Sequence, residues 1–112
     1  MSSFAKFVGK VNTEENNEED KEFFVKVLPV FLGRVASDKC ICLSDSDITL
    51  SRQHAQLSYD GSTEAFIFTC LSKNGAVVDK RRLEKDNQVQ LKSGSAIKIG
   101  KSKMYFLLPI KQ

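Results

Sequence analysis

Hydrophobic and polar residues alternate along much of this chain with the two-residue period of β-strands. In residues 55–59, Ala55, Leu57 and Tyr59 share one face and polar residues take the other. Further strands are predicted at 4–8, 22–27, 30–32, 40–43, 65–71, 76–78, 81–83, 88–91, 96–99 and 104–108. No segment keeps a 3.6-residue apolar period for more than one helical turn. The pattern therefore predicts an all-β chain with no substantial helix.

Turn-forming residues separate these runs at short intervals. Asp60-Gly61 lies between two strand patterns, and this dipeptide is a strong signal for a hairpin. Residues 65–71 are apolar on both faces, which predicts a central strand. Pro29 precedes the run at 30–32, where a missing N–H does no harm. Short strands with frequent turns are typical of a β-sandwich or a barrel.

The longest polar stretch covers residues 9–21, and we predict a flexible loop between strands there. An acidic stretch that overlaps it, residues 13–22, carries six acids and one lysine, for a net charge of −5. The rest of the chain is therefore at +8. A basic remainder is compatible with an anionic partner. Surface solubility alone accounts for most of these lysines.

The 112 residues are enough for one domain, 1–112, with one core. Eight Phe and no Trp predict a core built around phenylalanine. The odd number of cysteines, Cys40, Cys42 and Cys70, predicts a reducing compartment in which the thiols act as small core residues. We expect no signal peptide and no membrane span, because no run approaches the roughly 20 apolar residues that a span needs.

One short stretch, Ser51-Arg52-Gln53-His54, combines a hydroxyl, a guanidinium and the chain's single histidine. The hydroxyl of Ser51 and the loop N–H groups could donate to a phosphate, and Arg52 could add charge-assisted hydrogen bonds. We expect His54 to tie the loop down through its ring nitrogens. The alternative is a polar loop with a structural histidine, and this stretch alone favours that alternative.

Two other dipeptides lie at predicted strand ends. Gly33-Arg34 can present a planar guanidinium to a phosphate, with glycine allowing close backbone approach. Asn74-Gly75 offers an amide that can hold an extended peptide by its backbone. Each has a structural alternative: a solvated arginine after a strand, and a favoured hairpin turn.

In combination, these motifs resemble the forkhead-associated (FHA) domain over almost the whole chain: G-R, then S-R-x-H about 17 residues later, then N-G about 20 further on. The flanks of the motifs resemble FHA domains of forkhead transcription factors, namely the fungal forkhead-like regulator of ribosomal-protein genes and the animal forkhead K group. The segments that carry this second likeness are 4–9, 24–26, 30–34, 70–79 and 106–109, while 47–50 and 97–100 extend the likeness to the FHA family as a whole.

The resemblance implies a sandwich of roughly eleven strands in two sheets, whose loops at one end bind phosphothreonine on a partner protein. It implies that Arg34 and Ser51 bind the phosphate, that Arg52 adds a contact and that Asn74 holds the peptide main chain. Gly33, His54 and Gly75 would support the site structurally. Thr49 and Lys73 stand where family members vary and select flanking residues, so they are possible auxiliary contacts.

We therefore predict a non-enzymatic phosphothreonine-binding module without cofactor, metal or small-molecule substrate. Its expected partner is a phosphorylated transcriptional cofactor, and its expected location, by resemblance, is the nucleus. The alternatives are a phosphorylation-independent protein-interaction domain and a basic nucleic-acid-binding module using Arg81 and Arg82, although the chain lacks a groove-reading helix. The forkhead winged-helix DNA-binding domain is not among these residues, so we expect no direct DNA binding.

Two kinds of chemistry are disfavoured from the sequence. A hydrolase triad from Ser51, His54 and a nearby Asp would need a geometry that a gap of three residues in a loop rarely gives, and there is no nucleophile-elbow motif. Zinc binding by the three cysteines with His54 lacks a C-x-x-C knuckle. Core packing is the better explanation of the cysteines.

Overall fold

The computed structural model describes residues 4–12 and 17–109. The strands are β1 (Ala5–Asn12), β2 (Glu18–Val25), β3 (Val30–Gly33), β4 (Cys40–Cys42), β5 (Ala55–Asp60), β6 (Ala65–Cys70), β7 (Ala76–Val78), β8 (Arg81–Leu83), β9 (Gln88–Leu91), β10 (Ser95–Ile99) and β11 (Ser102–Leu107). Within the described ranges there is no helix, and so none that could cross a membrane. The prediction of an all-β chain with about eleven strands is confirmed.

The strands form two sheets. One has six strands in the order β2-β1-β11-β10-β7-β8, and the other has five in the order β4-β3-β5-β6-β9. Neighbouring strands are antiparallel except for the parallel pair β3 and β4. β6 has a neighbour on each side, as its two apolar faces predict. The first strand, β1, pairs directly with the last, β11.

A phenylalanine core lies between the sheets, as the composition predicts. Phe7, Phe68 and Phe106 have no exposed surface. The ring centroids of Phe7 and Phe106 are 5.4 Å apart, within the range of favourable aromatic pairs. Cys70 is fully buried in the same core, and burial raises the pKa of its thiol. Such a thiol behaves as a small apolar side chain.

The prediction of a flexible loop over residues 9–21, overlapping the acidic stretch 13–22, is wrong for most of these residues. β1 continues to Asn12 and β2 begins at Glu18, so that these two residues pair across the hairpin. Residues 13–16 lie outside the described part of the chain. β2 is an edge strand, and most of its residues are exposed. Such a strand needs no apolar alternation, because its register is held by β1 and by cross-strand contacts such as the 3.3 Å Lys10–Asp20 ion pair.

Candidate functional site

Three loops meet at the end of the sandwich where β3 and β6 finish and β5 and β7 begin. They follow β3 (residues 34–39), β4 (residues 43–54) and β6 (residues 71–75), and we call them the recognition loops. The backbone N–H of Arg34 donates to the carbonyl oxygens of Ser51 and Arg52, both at 3.1 Å. Farther along, the His54 carbonyl accepts from the N–H of Leu71 at 2.9 Å. Backbone hydrogen bonds therefore join all three loops.

Gly33, the last residue of β3, lies against the backbone of the loop after β4. A β-carbon at this position would lie 1.9 Å from the carbonyl oxygen of Arg52, far inside any allowed contact. The structure therefore requires glycine here, because the backbone around Ser51 packs directly on that of β3. This packing places the Arg34 and Ser51 backbones side by side.

His54 is fully buried and connects the loop after β4 to the loop after β6. Its Nδ1 accepts the backbone N–H of Ser51 at 3.0 Å, and its Nε2–H donates to the Gly75 carbonyl at 2.8 Å. These partners fix the neutral tautomer, since an amide N–H can only donate and a carbonyl can only accept. Burial lowers the pKa of His54, and the hydrogen bond to Gly75 and the charge of Asp47 oppose this only in part.

The Ser51 hydroxyl points to another hydroxyl. Its Oγ lies 2.7 Å from the Oγ of Ser72, while both ring nitrogens of His54 are engaged by backbone groups. A hydrolytic role would need a base that takes the Ser51 proton. The His54 ring does not stand in that position.

Asn74 and Gly75 turn the chain into β7. The Asn74 side-chain amide donates to the Thr49 carbonyl at 3.1 Å, and its backbone N–H donates to Ser72 Oγ at 3.0 Å. Gly75 adopts a left-handed conformation, with φ of 77°, which glycine takes without strain. The Asn74 side chain is exposed and lies across the loop that carries Thr49 and Ser51.

Arg34 is a half-buried cation in the recognition loops. Its Nε is buried and has no hydrogen-bond partner within residues 4–12 and 17–109. No carboxylate of the described residues forms an ion pair with it. A buried guanidinium nitrogen without a partner is energetically unfavourable, so an anionic ligand that reached it would meet one donor already shielded from water. Arg52 and Lys73 are exposed at the same end of the sandwich.

Asp47 supports the loop after β4 and was not identified from the sequence. Its buried carboxylate accepts hydrogen bonds from the backbone N–H and the hydroxyl of Thr49, and from the Lys101 N–H at 2.8 Å. Burial acts to raise the pKa of Asp47, but these hydrogen bonds outweigh it and lower the pKa overall. The signal was available, because Asp-x-Thr is a spacing at which the carboxylate accepts from the backbone two residues on.

The sequence motifs did not indicate two further residues of these loops, Ser72 and Ile48. Ser72 is buried and accepts from Asn74 two residues later, a turn that serine side chains commonly form. Ile48 is 86% exposed, which is the highest exposure among the large hydrophobic side chains of the described residues.

A pocket of about 290 Å³ adjoins the recognition loops. Thr49 and Asn74 line one side, and Arg82, Lys98 and Lys101 bring three positive charges to it. The site thus offers hydroxyl, amide and cationic donors, a set suited to an anion. No group of His, Cys, Asp and Glu within the described ranges could hold a metal ion.

Comparison with known sequences identifies relatives. The sequence model described as FHA domain matches residues 30–100. Fork-head transcriptional regulator FHL1 of Candida albicans is 35% identical over 96 residues, which cover 81% of this chain and 8% of that protein. Pre-rRNA-processing protein FHL1 of Saccharomyces cerevisiae is 34% identical over 91 residues, covering 78% of this chain and 10% of that protein. The chain thus spans a tenth or less of the length of these two proteins.

Solved structures with the same fold include two FHA domains. That of an Arabidopsis thaliana protein superposes with a TM-score of 0.71 at 18% identity, covering 98% of this chain and 90% of the other. The MEK1 FHA domain, in complex with the phosphothreonine peptide of HOP1, gives a TM-score of 0.67 at 21% identity, covering 97% and 100%. At these identities the likeness concerns the fold alone.

Proposed function

Since this chain belongs to the FHA domain family, we propose that it binds phosphothreonine on a partner protein through the recognition loops and carries no catalytic activity. FHA domains are binding modules. The family expected from the sequence is confirmed. We further propose that residues 1–112 act as one domain.

The single observation that carries this proposal is the environment of Arg34. Its guanidinium is half-buried, its Nε lacks a partner within the described ranges, and its backbone is fixed beside Ser51. A phosphate placed between Arg34 and the Ser51 hydroxyl would satisfy both groups with charge-assisted hydrogen bonds. Arg52 would add an exposed positive charge to the same anion.

Asn74 holds a neighbouring position in this proposal. Its amide donates to the Thr49 carbonyl, so its side chain spans the loop over which a peptide would pass. We propose that it exchanges this contact for one with the peptide main chain. Gly33, His54 and Gly75 fix the backbones that carry the ligand contacts, while Lys73 is an auxiliary cation.

Calorimetric titration with a phosphothreonine peptide and its unphosphorylated form tests the proposal. We expect binding of the first only, and we expect Arg34→Ala to abolish it. Arg34→Lys should restore the charge but only part of the affinity, because lysine lacks the bidentate fork. Arg81→Ala, which removes an exposed arginine on β8, is the matched control and should bind as the wild type does. Equal affinity for both peptides would refute the mechanism.

The cellular role is a proposal drawn from the relatives' names. Two relatives are named fork-head transcriptional regulators. We propose that this chain serves a forkhead-type regulator in the nucleus and recruits a phosphorylated transcriptional cofactor without itself contacting DNA. A pull-down from nuclear extract, with wild-type and Arg34→Ala baits and with and without phosphatase treatment, would identify this partner. A partner retained by the variant, or after phosphatase treatment, would point to phosphorylation-independent binding instead.

A further inference from the structure

The outer face of the six-stranded sheet carries a row of cationic side chains. Strand register places Lys10 of β1 opposite Lys103 of β11, and Lys103 opposite Lys98 of β10. Lys98 in turn lies opposite Val77, and Val77 lies opposite Arg82 of β8. Directly paired residues share a face of the sheet. Lys10, Lys103, Lys98 and Arg82 therefore form one row, which we call the basic row.

The middle of the basic row is not neutralised by the protein. Lys10 pairs with Asp20 at 3.3 Å, and Arg82 Nε pairs with a glutamate two residues later at 3.0 Å. Lys98 and Lys103 are exposed and form no ion pair with the described residues. Like charges directly opposite each other across two strands are destabilising. An anion bound beside Lys98 and Lys103 would therefore relieve this repulsion and gain favourable electrostatic interactions.

The basic row is continuous with the recognition loops. Lys98 and Arg82 also line the 290 Å³ pocket that Thr49 and Asn74 border, and Lys101 adds a third cation there. A ligand held over Asn74 therefore has the basic row as the neighbouring surface. Of the possible anions, a flanking part of the same peptide fits this continuity best.

The distances suit a short peptide flank. Neighbouring strands are about 4.8 Å apart, so the three steps from Arg82 to Lys103 span about 14 Å. An extended peptide advances about 3.3 Å per residue, so four or five residues cover that span. Several anionic groups on one flank can therefore reach successive members of the row.

We propose that the basic row, together with Lys101, binds anionic groups (carboxylates or phosphates) on residues flanking the phosphothreonine of the same ligand. This inference rests on the proposed phosphothreonine binding and adds a preference among phosphothreonine ligands. Arg34 and Ser51 read the phosphothreonine, and the basic row selects ligands whose flanks are acidic or further phosphorylated. Because the contacts lie at an exposed surface, salt weakens them.

Titration of the wild type with four phosphothreonine peptides tests the inference. One has neutral flanks, one has a short run of glutamates before the phosphothreonine, one has the run after it, and one replaces the glutamates on the better side with phosphoserines. At low salt we expect one of the glutamate peptides to bind about three- to tenfold more tightly than the neutral one, as a few exposed ion pairs allow. The phosphoserine peptide distinguishes phosphate from carboxylate as the preferred anion.

Lys98→Gln/Lys103→Gln should remove this gain, which is measured for each protein as the ratio of its affinity for the acidic peptide to its affinity for the neutral peptide. Lys92→Gln/Lys26→Gln removes the same charge from exposed positions outside the basic row and the recognition loops, and should keep most of the gain. If the wild type binds the neutral peptide but shows no gain with either acidic flank, the inference is overturned. If the neutral phosphothreonine peptide does not bind at all, the proposed phosphothreonine binding itself is refuted. A gain that survives Lys98→Gln/Lys103→Gln would also overturn it, as would tighter binding of an oligonucleotide than of any acidic peptide.

Discussion

Protonation of His54 should destabilise the fold, and His54→Gln should remove this effect. The neutral ring accepts the Ser51 N–H at Nδ1 and donates to Gly75 from Nε2. A proton on Nδ1 would face the Ser51 N–H donor inside the protein and break that bond. Burial therefore lowers the pKa of His54 in the folded state below its value in the unfolded chain.

The sign of the effect follows from proton binding. Below pH 6.5, which is about the pKa of His54 in the unfolded chain, the unfolded chain binds a proton that the folded chain does not bind. The contribution of His54 to stability is thus complete above that pH and is lost as pH falls toward the lowered folded pKa. Within this window the slope approaches about 1.4 kcal/mol per pH unit. His54 is the only histidine, and ordinary carboxylates titrate near pH 4, so the interval from pH 7 to 5 isolates it.

Urea unfolding followed by far-ultraviolet circular dichroism measures the free energy of unfolding, since the chain has no tryptophan to report by fluorescence. At pH 7.5, His54→Gln should lose about 2–3 kcal/mol, because one glutamine cannot reproduce both buried hydrogen bonds. The gap between wild type and variant should narrow as pH falls toward 5, since only the wild type weakens. Parallel pH profiles for the two proteins would refute this account of the ring and its tautomer.

Two other substitutions test the packing of the recognition loops. Gly33→Ala should destabilise the fold by about 1–3 kcal/mol or more and weaken phosphopeptide binding, because its β-carbon would overlap the Arg52 carbonyl oxygen; thermal melting measures this. Gly61→Ala, where nothing lies within 4 Å of the added carbon, is the control, and equal melting temperatures would contradict the close approach. Asp47→Asn should lose about 2 kcal/mol of unfolding free energy at pH 7 through weakened buried hydrogen bonds, whereas exposed Asp45→Asn should lose little. Because the pKa of Asp47 is lowered in the folded state, its contribution to the free energy of unfolding is present above about pH 4 and is lost at lower pH. A difference in unfolding free energy between wild type and Asp47→Asn that stayed constant down to pH 2 would contradict this role of the carboxylate.

Most of the fold could be predicted from the sequence because most strands have a recognisable local pattern of residues. Alternation at 55–59 and the Asp60-Gly61 turn are properties of a few neighbouring residues, and β5 and β6 form the expected hairpin. The pairing of β1 with β11 and the parallel alignment of β3 with β4 join distant segments. Nothing local in the sequence specifies those partners.

The extent of β2 could not be predicted because an exposed edge strand has no buried face to impose a pattern. The run from Glu18 to Glu22 reads as solvated loop, and only its pairing with β1 makes it a strand. The candidate site shows the same limit. Motifs of glycine, arginine and asparagine indicated its loops. The carboxylate of Asp47, however, accepts the backbone N–H of Lys101, 54 positions along the chain. Such a contact exists only in the folded chain, so the sequence alone does not indicate it.

The pairing of β1 with β11 also decides how this fold could be carried within a longer polypeptide. Lys6 lies opposite Leu107, so the chain enters and leaves at one place. Phe4 and Leu108 line a groove with Glu64 and Ser93, which belong to the turns at the end of the sandwich remote from Arg34 and Ser51. Adjacent ends let a domain be inserted in a host chain with little distortion. A tether joined to these strand ends would therefore attach at the end of the sandwich opposite Arg34 and Ser51 and would leave the recognition loops uncovered.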